Sequence, residues 1–155
     1  MRKIINGRPV KVVEGKRRLF SIEHANKSLV LVRRIVEDVI DSHQKLVDYQ
    51  EILETAQRND HGGEALRTRK AMMVVVEKIR RCLSEANQVG VEVRDWSLGI
   101  VDYPAMVGCK EIRLCWRYGE ESIEFWHEVG ECFAGRKEIA QLEELENLEY
   151  AAPTA

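Results

Sequence analysis

Aromatic and ionisable side chains are concentrated between Asp102 and Arg136, in a stretch whose apolar residues do not follow a helical period. Guanidinium groups bind carboxylate or phosphate through planar, two-pronged contacts, and an indole ring adds a flat surface for stacking. The side chains that could build an anion-binding face in this way are Asp102, Arg113, Arg117, Trp126 and Arg136. This pattern predicts a binding module for an anionic small molecule or a partner protein.

A second kind of chemistry centres on His127. An imidazole needs a partner that fixes its tautomer, and a carboxylate at the start of the first predicted helix could supply one. The candidate catalytic residues are therefore His127, Glu128 and Glu23, and the candidate metal ligands are His24, His127 and Glu128. These groups would serve a metal-dependent hydrolase whose pocket lies between the sheet and the first helix.

The alternative for His127 is a buried histidine whose hydrogen bonds hold sheet and helix together. The sequence contains no His-Glu-x-x-His motif to support a metal centre. The residues therefore favour a non-enzymatic binding or assembly module over the hydrolase. No resident cofactor is predicted, and a divalent metal is the alternative.

Cysteine spacing gives little support for metal or redox chemistry. The four cysteines, none of which forms a Cys-x-x-Cys pair, are Cys82, Cys109, Cys115 and Cys132. Free thiols in a reducing compartment are predicted. A zinc site from the last three cysteines and His127 would lack the closely spaced ligand pairs of structural zinc sites. Cys115 is predicted to be a packed thiol, because no histidine is expected on its face of the sheet.

Composition excludes several classes of function. The chain has 155 residues, 45% hydrophobic and 32% charged, with a formal net charge of -2. That length fits a single domain spanning 1–155. No apolar run approaches the roughly 20 residues that cross a bilayer, and no signal peptide is predicted. The balanced charge makes nucleic-acid binding unlikely, so a cytoplasmic protein without a membrane or nucleic-acid partner is expected.

The elements that position these residues form an α+β fold. In chain order they are a β-hairpin (3–13), two long antiparallel helices (22–59 and 64–89), a three-stranded β module (91–136) and an amphipathic helix (137–150). The first helix is longer than the second, so its start overhangs without a partner. The apolar face of the β module is predicted to cover that overhang at the open end of the helical hairpin.

The register of the β module rests on two predicted turns that begin at Gly108 and Gly119, since glycine favours the first central position of a type II′ turn. These turns place His127 on the apolar face, towards the first helix. They pair Arg113 with Trp126 on the opposite face, where the anion-binding residues would gather.

The helical hairpin also has apolar positions beyond those that two helices cover. Its three-four apolar spacing resembles a coiled coil, and Ile35, Ile40 and Val47 flank that seam. We expect a homodimer through the helical hairpin.

Several segments resemble one known family. They are Ser21-Ile22-Glu23-His24-Ala25-Asn26, Gly99-Ile100-Val101-Asp102-Tyr103-Pro104-Ala105, Leu114-Cys115-Trp116-Arg117, Trp126-His127-Glu128 and Phe133-Ala134-Gly135-Arg136. In this order they resemble the bacterial domain-of-unknown-function family 2203 over about residues 20–139. The resemblance implies a long helical hairpin joined to a small β module, and no activity. His24 departs from the family pattern, which commonly has Glu there, and Gly130-Glu131-Cys132 replaces a more usual Asp-Ala-Gly.

Overall fold

The computed structural model describes the backbone of residues 4–5, 8–9 and 19–142, and side chains within residues 19–142. Two long helices pack against each other, and an antiparallel sheet packs against them. The predicted α+β class is confirmed. No helix in the described part of the chain is long and apolar enough to cross a membrane.

The N-terminal hairpin is seen in two short strands. Strand β1 (Ile4–Ile5) pairs antiparallel with β2 (Arg8–Pro9), with Ile4 opposite Pro9 and Ile5 opposite Arg8. The prediction over 3–13 is confirmed for these four residues, and its remainder lies outside the described residues.

The helical hairpin follows the predicted bounds to within two residues. Helix α1 spans Ile22–Arg58, and α2 spans Gly62–Val89. Ser21 caps the start of α1, where its Oγ accepts a hydrogen bond from the backbone N–H of His24 at 3.1 Å. Gly90 ends α2 in the left-handed conformation, with φ of 101°, which glycine adopts without a steric cost. The start of α1 and the end of α2 are therefore both fixed by residues next to them in the chain.

The β module is a larger sheet than predicted. Its antiparallel strands, in spatial as well as chain order, are β3 (Glu92–Asp95), β4 (Ile100–Val107), β5 (Lys110–Arg117), β6 (Phe125–Glu128) and β7 (Lys137–Glu138). The predicted three strands are thus extended by one strand at each edge. Strand β7 occupies the position where the predicted 137–150 helix begins, because it pairs with β6. A helical turn at 140–142 follows, and residues 143–150 lie outside the described range.

The predicted register of β6 is wrong by one residue. Residues 118–124 connect β5 to β6, in place of the predicted two-residue turn at Gly119. Arg113 pairs with His127, and Leu114 pairs with Trp126. Because side chains alternate along a strand, this shift turns every β6 side chain to the face opposite to the predicted one.

The long connection is held by helix α1. Asn26 Oδ1 accepts a hydrogen bond from the backbone N–H of Ile123 at 2.8 Å. The guanidinium of Arg33 donates to the carbonyl groups of Glu120 and Glu121. These contacts favour a longer loop over the tight turn that Gly119 indicates.

The sheet covers the start of α1, as predicted. Its inner face, the face turned towards α1, forms a common core with the helix; this core includes Leu29, Val32, Val36, Val101, Tyr103, Leu114, Trp116, Ile123 and Trp126. The backbone N–H of Phe20 donates to the Pro104 carbonyl at 2.8 Å, which fixes the chain entering α1 to β4. The opposite, outer face of the sheet carries the polar groups described next.

Candidate functional site

Asp102, Cys115 and His127 meet on the outer face of the sheet. They lie on the adjacent strands β4, β5 and β6. Asp102 is directly opposite Cys115, and His127 lies two residues beyond Phe125, the β6 partner of Cys115. Their carboxylate, thiol and imidazole ligand atoms all lie within 4.8 Å of one another, and all three side chains are buried. We call these residues the Asp-Cys-His cluster.

Both ring nitrogens of His127 have partners. Nδ1 lies 2.7 Å from the Glu128 carbonyl oxygen, which only accepts hydrogen bonds, so Nδ1 carries a proton and donates it. Nε2 lies 2.9 Å from Asp102 Oδ1. Burial raises the pKa of Asp102, and its hydrogen bond to His127 opposes that rise. The two contacts fix the orientation of the ring, with Nε2 turned towards the Asp102 carboxylate.

Cys115 is a buried thiol and not an activated nucleophile. Burial raises its pKa to about 12, although the nearby Arg136 guanidinium acts to lower it. The expectation that no histidine shares its sheet face is wrong, because the one-residue shift of β6 brings His127 there.

Arg136 closes over this cluster. It follows a single 3₁₀ turn, Phe133–Gly135, and its guanidinium carbon lies 4.0 Å from the Phe125 ring centroid and 4.1 Å from that of Phe133. Its Nη2 forms a salt bridge of 2.6 Å with Glu120 Oε1. Within the described part of the chain its buried Nη1 has no hydrogen-bond partner. The charge of Arg136, one of the three arginines that were predicted to bind an anion, is therefore matched by Glu120.

The other predicted arginines differ from each other. Arg113 is mostly buried and forms a salt bridge of 2.7 Å with Glu111. Arg117 is exposed, with its guanidinium carbon 5.9 Å from the Phe133 ring centroid, and has no salt bridge to a described residue. Of the three predicted arginines, only Arg117 offers an uncommitted charge on the outer face.

Trp126 belongs to the inner face, so its predicted pairing with Arg113 is wrong. The ring is 4% exposed, and its Nε1 has no hydrogen-bond partner among the described residues. The Lys137 ammonium lies 5.0 Å from the ring centroid. The Trp126 indole N–H is thus buried beside a cation, with no acceptor in the described part of the chain.

Trp126 borders a cavity of about 320 Å³, here named the Trp126 cavity. The described residues that line it are Val107, Lys110, Ile112, Trp126, Glu128, Lys137, Gln141 and Leu142. A second cavity of about 220 Å³ lies against Phe20, Ile22 and Met106 and shares Val107, Ile112 and Leu142 with the first. The two cavities therefore meet at the same three apolar residues.

The structure does not bring the predicted catalytic and metal-binding residues together. His24 lies at the exposed start of α1 beside the Phe20 ring, and Glu23 there pairs with Lys27 at 2.8 Å. Glu128 pairs with Lys110 at 2.6 Å, a hydrogen bond that lowers the pKa of Glu128. Among the described residues, His127 shares its metal-type cluster with neither His24 nor Glu128.

Sequence reasoning missed two parts of the site. The Asp-Cys-His cluster was hidden by the incorrect β6 register, although Asp102 and Cys115 were correctly placed on one face. Lys110 and Lys137 lie at strand starts, and nothing in their local sequence distinguishes them from ordinary exposed lysines.

The fold and cluster define an α+β protein in which a helical hairpin supports an antiparallel sheet with a buried Asp-Cys-His cluster. A family model for an uncharacterized conserved protein, DUF2203, matches residues 18–139. The chain belongs to this family, which confirms the resemblance seen in its sequence. No curated protein and no solved structure matches the chain significantly.

Proposed function

We propose that this protein is a binding module that takes a small anionic molecule with an apolar part into the Trp126 cavity. The observation that carries the proposal is the buried Trp126 Nε1, which has no acceptor among the described residues. A buried donor without a partner costs about 1–3 kcal/mol. Trp126 lines the cavity, so a small rotation of its ring would turn Nε1 towards a ligand oxygen that accepts this hydrogen bond and removes the cost.

The charges around the cavity favour an anion. Among the described residues, Lys110 and Lys137 line it, and Glu128 is the one acidic residue of the lining. Glu128 already pairs with Lys110, so Lys137 contributes a positive charge in excess. A singly charged group such as a carboxylate matches this one excess positive charge. Its oxygen could also accept a hydrogen bond from the Trp126 indole N–H.

The remaining lining residues favour an apolar group on the uncharged part of the ligand. Val107, Ile112 and Leu142 are apolar and lead towards the second cavity. A volume of about 320 Å³ lies at the small end of ligand pockets. A short-chain carboxylic acid therefore matches the charge, hydrogen-bond donor and size of this cavity.

Octanoate is a suitable probe, with binding measured by isothermal titration calorimetry on the full chain. Trp126→Phe keeps the ring and removes the N–H, and Lys137→Gln removes the excess charge. Each variant should weaken octanoate binding about tenfold, since a hydrogen bond to a charged group is worth about 1.5 kcal/mol.

Lys45→Gln, which removes an exposed lysine on α1, is the matched control and should bind octanoate as the natural chain does. Absence of octanoate binding, or equal affinity in Trp126→Phe, Lys137→Gln and the control, would refute the proposed cavity ligand.

We also propose that the protein assembles as a homodimer through the outer face of α2. Leu66 and Met73 are 52% and 71% exposed and lie two helical turns apart on the face turned away from α1. An antiparallel second copy would place Met73 opposite Val74, which is 70% exposed. The same register would place Lys70 opposite Glu77, so charge complementarity supports this arrangement.

A further inference from the structure

We propose that Asp102, Cys115 and His127 form a binding site for a divalent transition metal ion, with zinc as the best match. This site lies on the outer face of the sheet, whereas Trp126 faces inward, so the inference stands apart from the proposed carboxylate ligand. Its basis is the convergence of three different ligand types from three adjacent strands within 4.8 Å.

The donor set selects the class of metal. A thiolate sulfur with an imidazole nitrogen suits zinc or cobalt(II), whereas magnesium and calcium prefer oxygen ligands alone. Asp102 supplies the single oxygen donor of the cluster. Three protein ligands leave a fourth position for water or a small ligand, as in zinc sites that are not purely structural.

The orientation of His127 suits a metal ligand. Its Nδ1–H donates to the Glu128 carbonyl, which directs the lone pair of Nε2 towards the cluster. Nε2 and Asp102 Oδ1 are 2.9 Å apart. Ligand atoms on a tetrahedral zinc ion are separated by about 3.4 Å, so a small side-chain rotation would admit the ion between them.

The surrounding charges are compatible with a dication. A thiolate and a carboxylate bring two negative charges, which a divalent ion neutralises inside the protein. Arg94 Nε lies 3.7 Å from Asp102 Oδ2, and the Arg136 guanidinium lies near the Cys115 thiol. These groups would act as hydrogen-bond donors to the coordinated oxygen and sulfur, and binding would release the thiol proton.

The test is a cobalt(II) titration of the full chain, reduced and first stripped with a chelator. One cobalt per chain should bind with the near-ultraviolet absorption of thiolate-to-cobalt charge transfer, and zinc should displace it. Cys115→Ser should abolish that absorption. Cys82→Ser, which changes another buried cysteine that lies on α2, should retain it.

Thermal unfolding separates loss of the site from loss of the fold. Without metal, Cys115→Ser should unfold cooperatively, and zinc should raise the melting temperature of the natural chain but not of this variant. A double variant, Cys109→Ser with Cys132→Ser, removes the exposed thiols and should keep the cobalt absorption. Charge-transfer absorption that survives Cys115→Ser, or a folded natural chain without stoichiometric cobalt, would overturn the metal site.

Discussion

The two halves of the helical hairpin have similar apolar patterns but different surroundings. In α1, Val36 and Val47 lie eleven residues apart, a spacing that returns to nearly the same helix face. Val36 is fully buried, whereas Val47 is 41% exposed. The difference arises because the sheet packs against the half that contains Val36, here the proximal half, and leaves the distal half, which contains the α1–α2 turn, uncovered.

The distal half buries small side chains instead. Its buried positions include Ala56, Ala65 and Thr68, while Ile52 and Met73 remain exposed. Helix amphipathicity therefore marks a surface that needs a partner, but it does not identify the partner. In the proximal half that partner is the sheet, and in the distal half we propose a second copy of the chain.

Gly99→Ala should have the largest effect on stability. Gly99 has φ of 69°, and an added Cβ would lie 2.6 Å from Val36 Cγ1 and 2.8 Å from Ile40 Cδ1. Steric overlap and left-handed backbone together should lower the free energy of unfolding by about 3 kcal/mol, measured by urea denaturation. Gly62→Ala, where no atom lies within 4 Å of the added Cβ, should cost less than about 0.5 kcal/mol. Equal losses would contradict the contrast between the two halves.

Valine truncation should give the next largest difference. Val36→Ala should lower the free energy of unfolding by about 2 kcal/mol, because it removes fully buried methyl groups. Val47→Ala should lower it by less than about 1 kcal/mol. Urea denaturation of both variants at the same protein concentration makes the comparison. A similar loss at Val47 would show that the distal half is covered more completely than proposed.

Met73→Glu tests whether a second copy covers the distal half. The new carboxylate would lie in the proposed apolar contact and should shift the protein from dimer to monomer without loss of helical circular dichroism. Sedimentation velocity provides the measurement, and Lys45→Glu on exposed α1 surface is the control. A natural chain that is monomeric at all concentrations would exclude the dimer.

The smallest predicted effect concerns Asp95, in the turn beside the boundary between the halves. The backbone N–H of Leu98, the Ser97 hydroxyl and the backbone N–H of Ser97 donate to its carboxylate and lower its pKa from the ordinary 3.8. Near that pH the folded chain binds fewer protons at Asp95 than the unfolded chain does. The stabilisation is thus present above pH 3.8 and is lost as pH falls through the lowered pKa.

Asp95→Ala should therefore be less stable than the natural chain at neutral pH, and the gap should narrow as pH falls below 3.8. Thermal unfolding across this range measures the gap. A difference that does not change with pH would show that the Asp95 charge contributes nothing to the turn.

Local signals made much of the fold predictable. Ser21 and Gly90 mark the helix ends through contacts within one turn of the chain. Gly108 likewise sets the β4–β5 register, where Val107 pairs with Lys110 across a tight turn. The β6 register was not predictable in this way, because Asn26 and Arg33 hold the preceding loop from a distant helix.

The register of β6 against β5 also determined how much of the site could be predicted. Asp102, Cys115 and His127 were each identified as chemically interesting, but their convergence depends on the side to which β6 turns. Strand β7 escaped prediction because Lys137-Glu138 continues into a sequence with helical periodicity, and pairing with β6 overrides that preference at its start.

The hydrogen bond from Ile123 to Asn26 joins residues separated by 97 positions in the chain. Closing so long a loop is slow compared with forming the helical hairpin or the β4–β5 turn. We therefore expect β6 to join the sheet late in folding, after α1 has docked. Until then the chain would hold a nearly complete scaffold with neither the Asp-Cys-His cluster nor the Trp126 cavity assembled, so ligand or metal uptake would report the final step of folding.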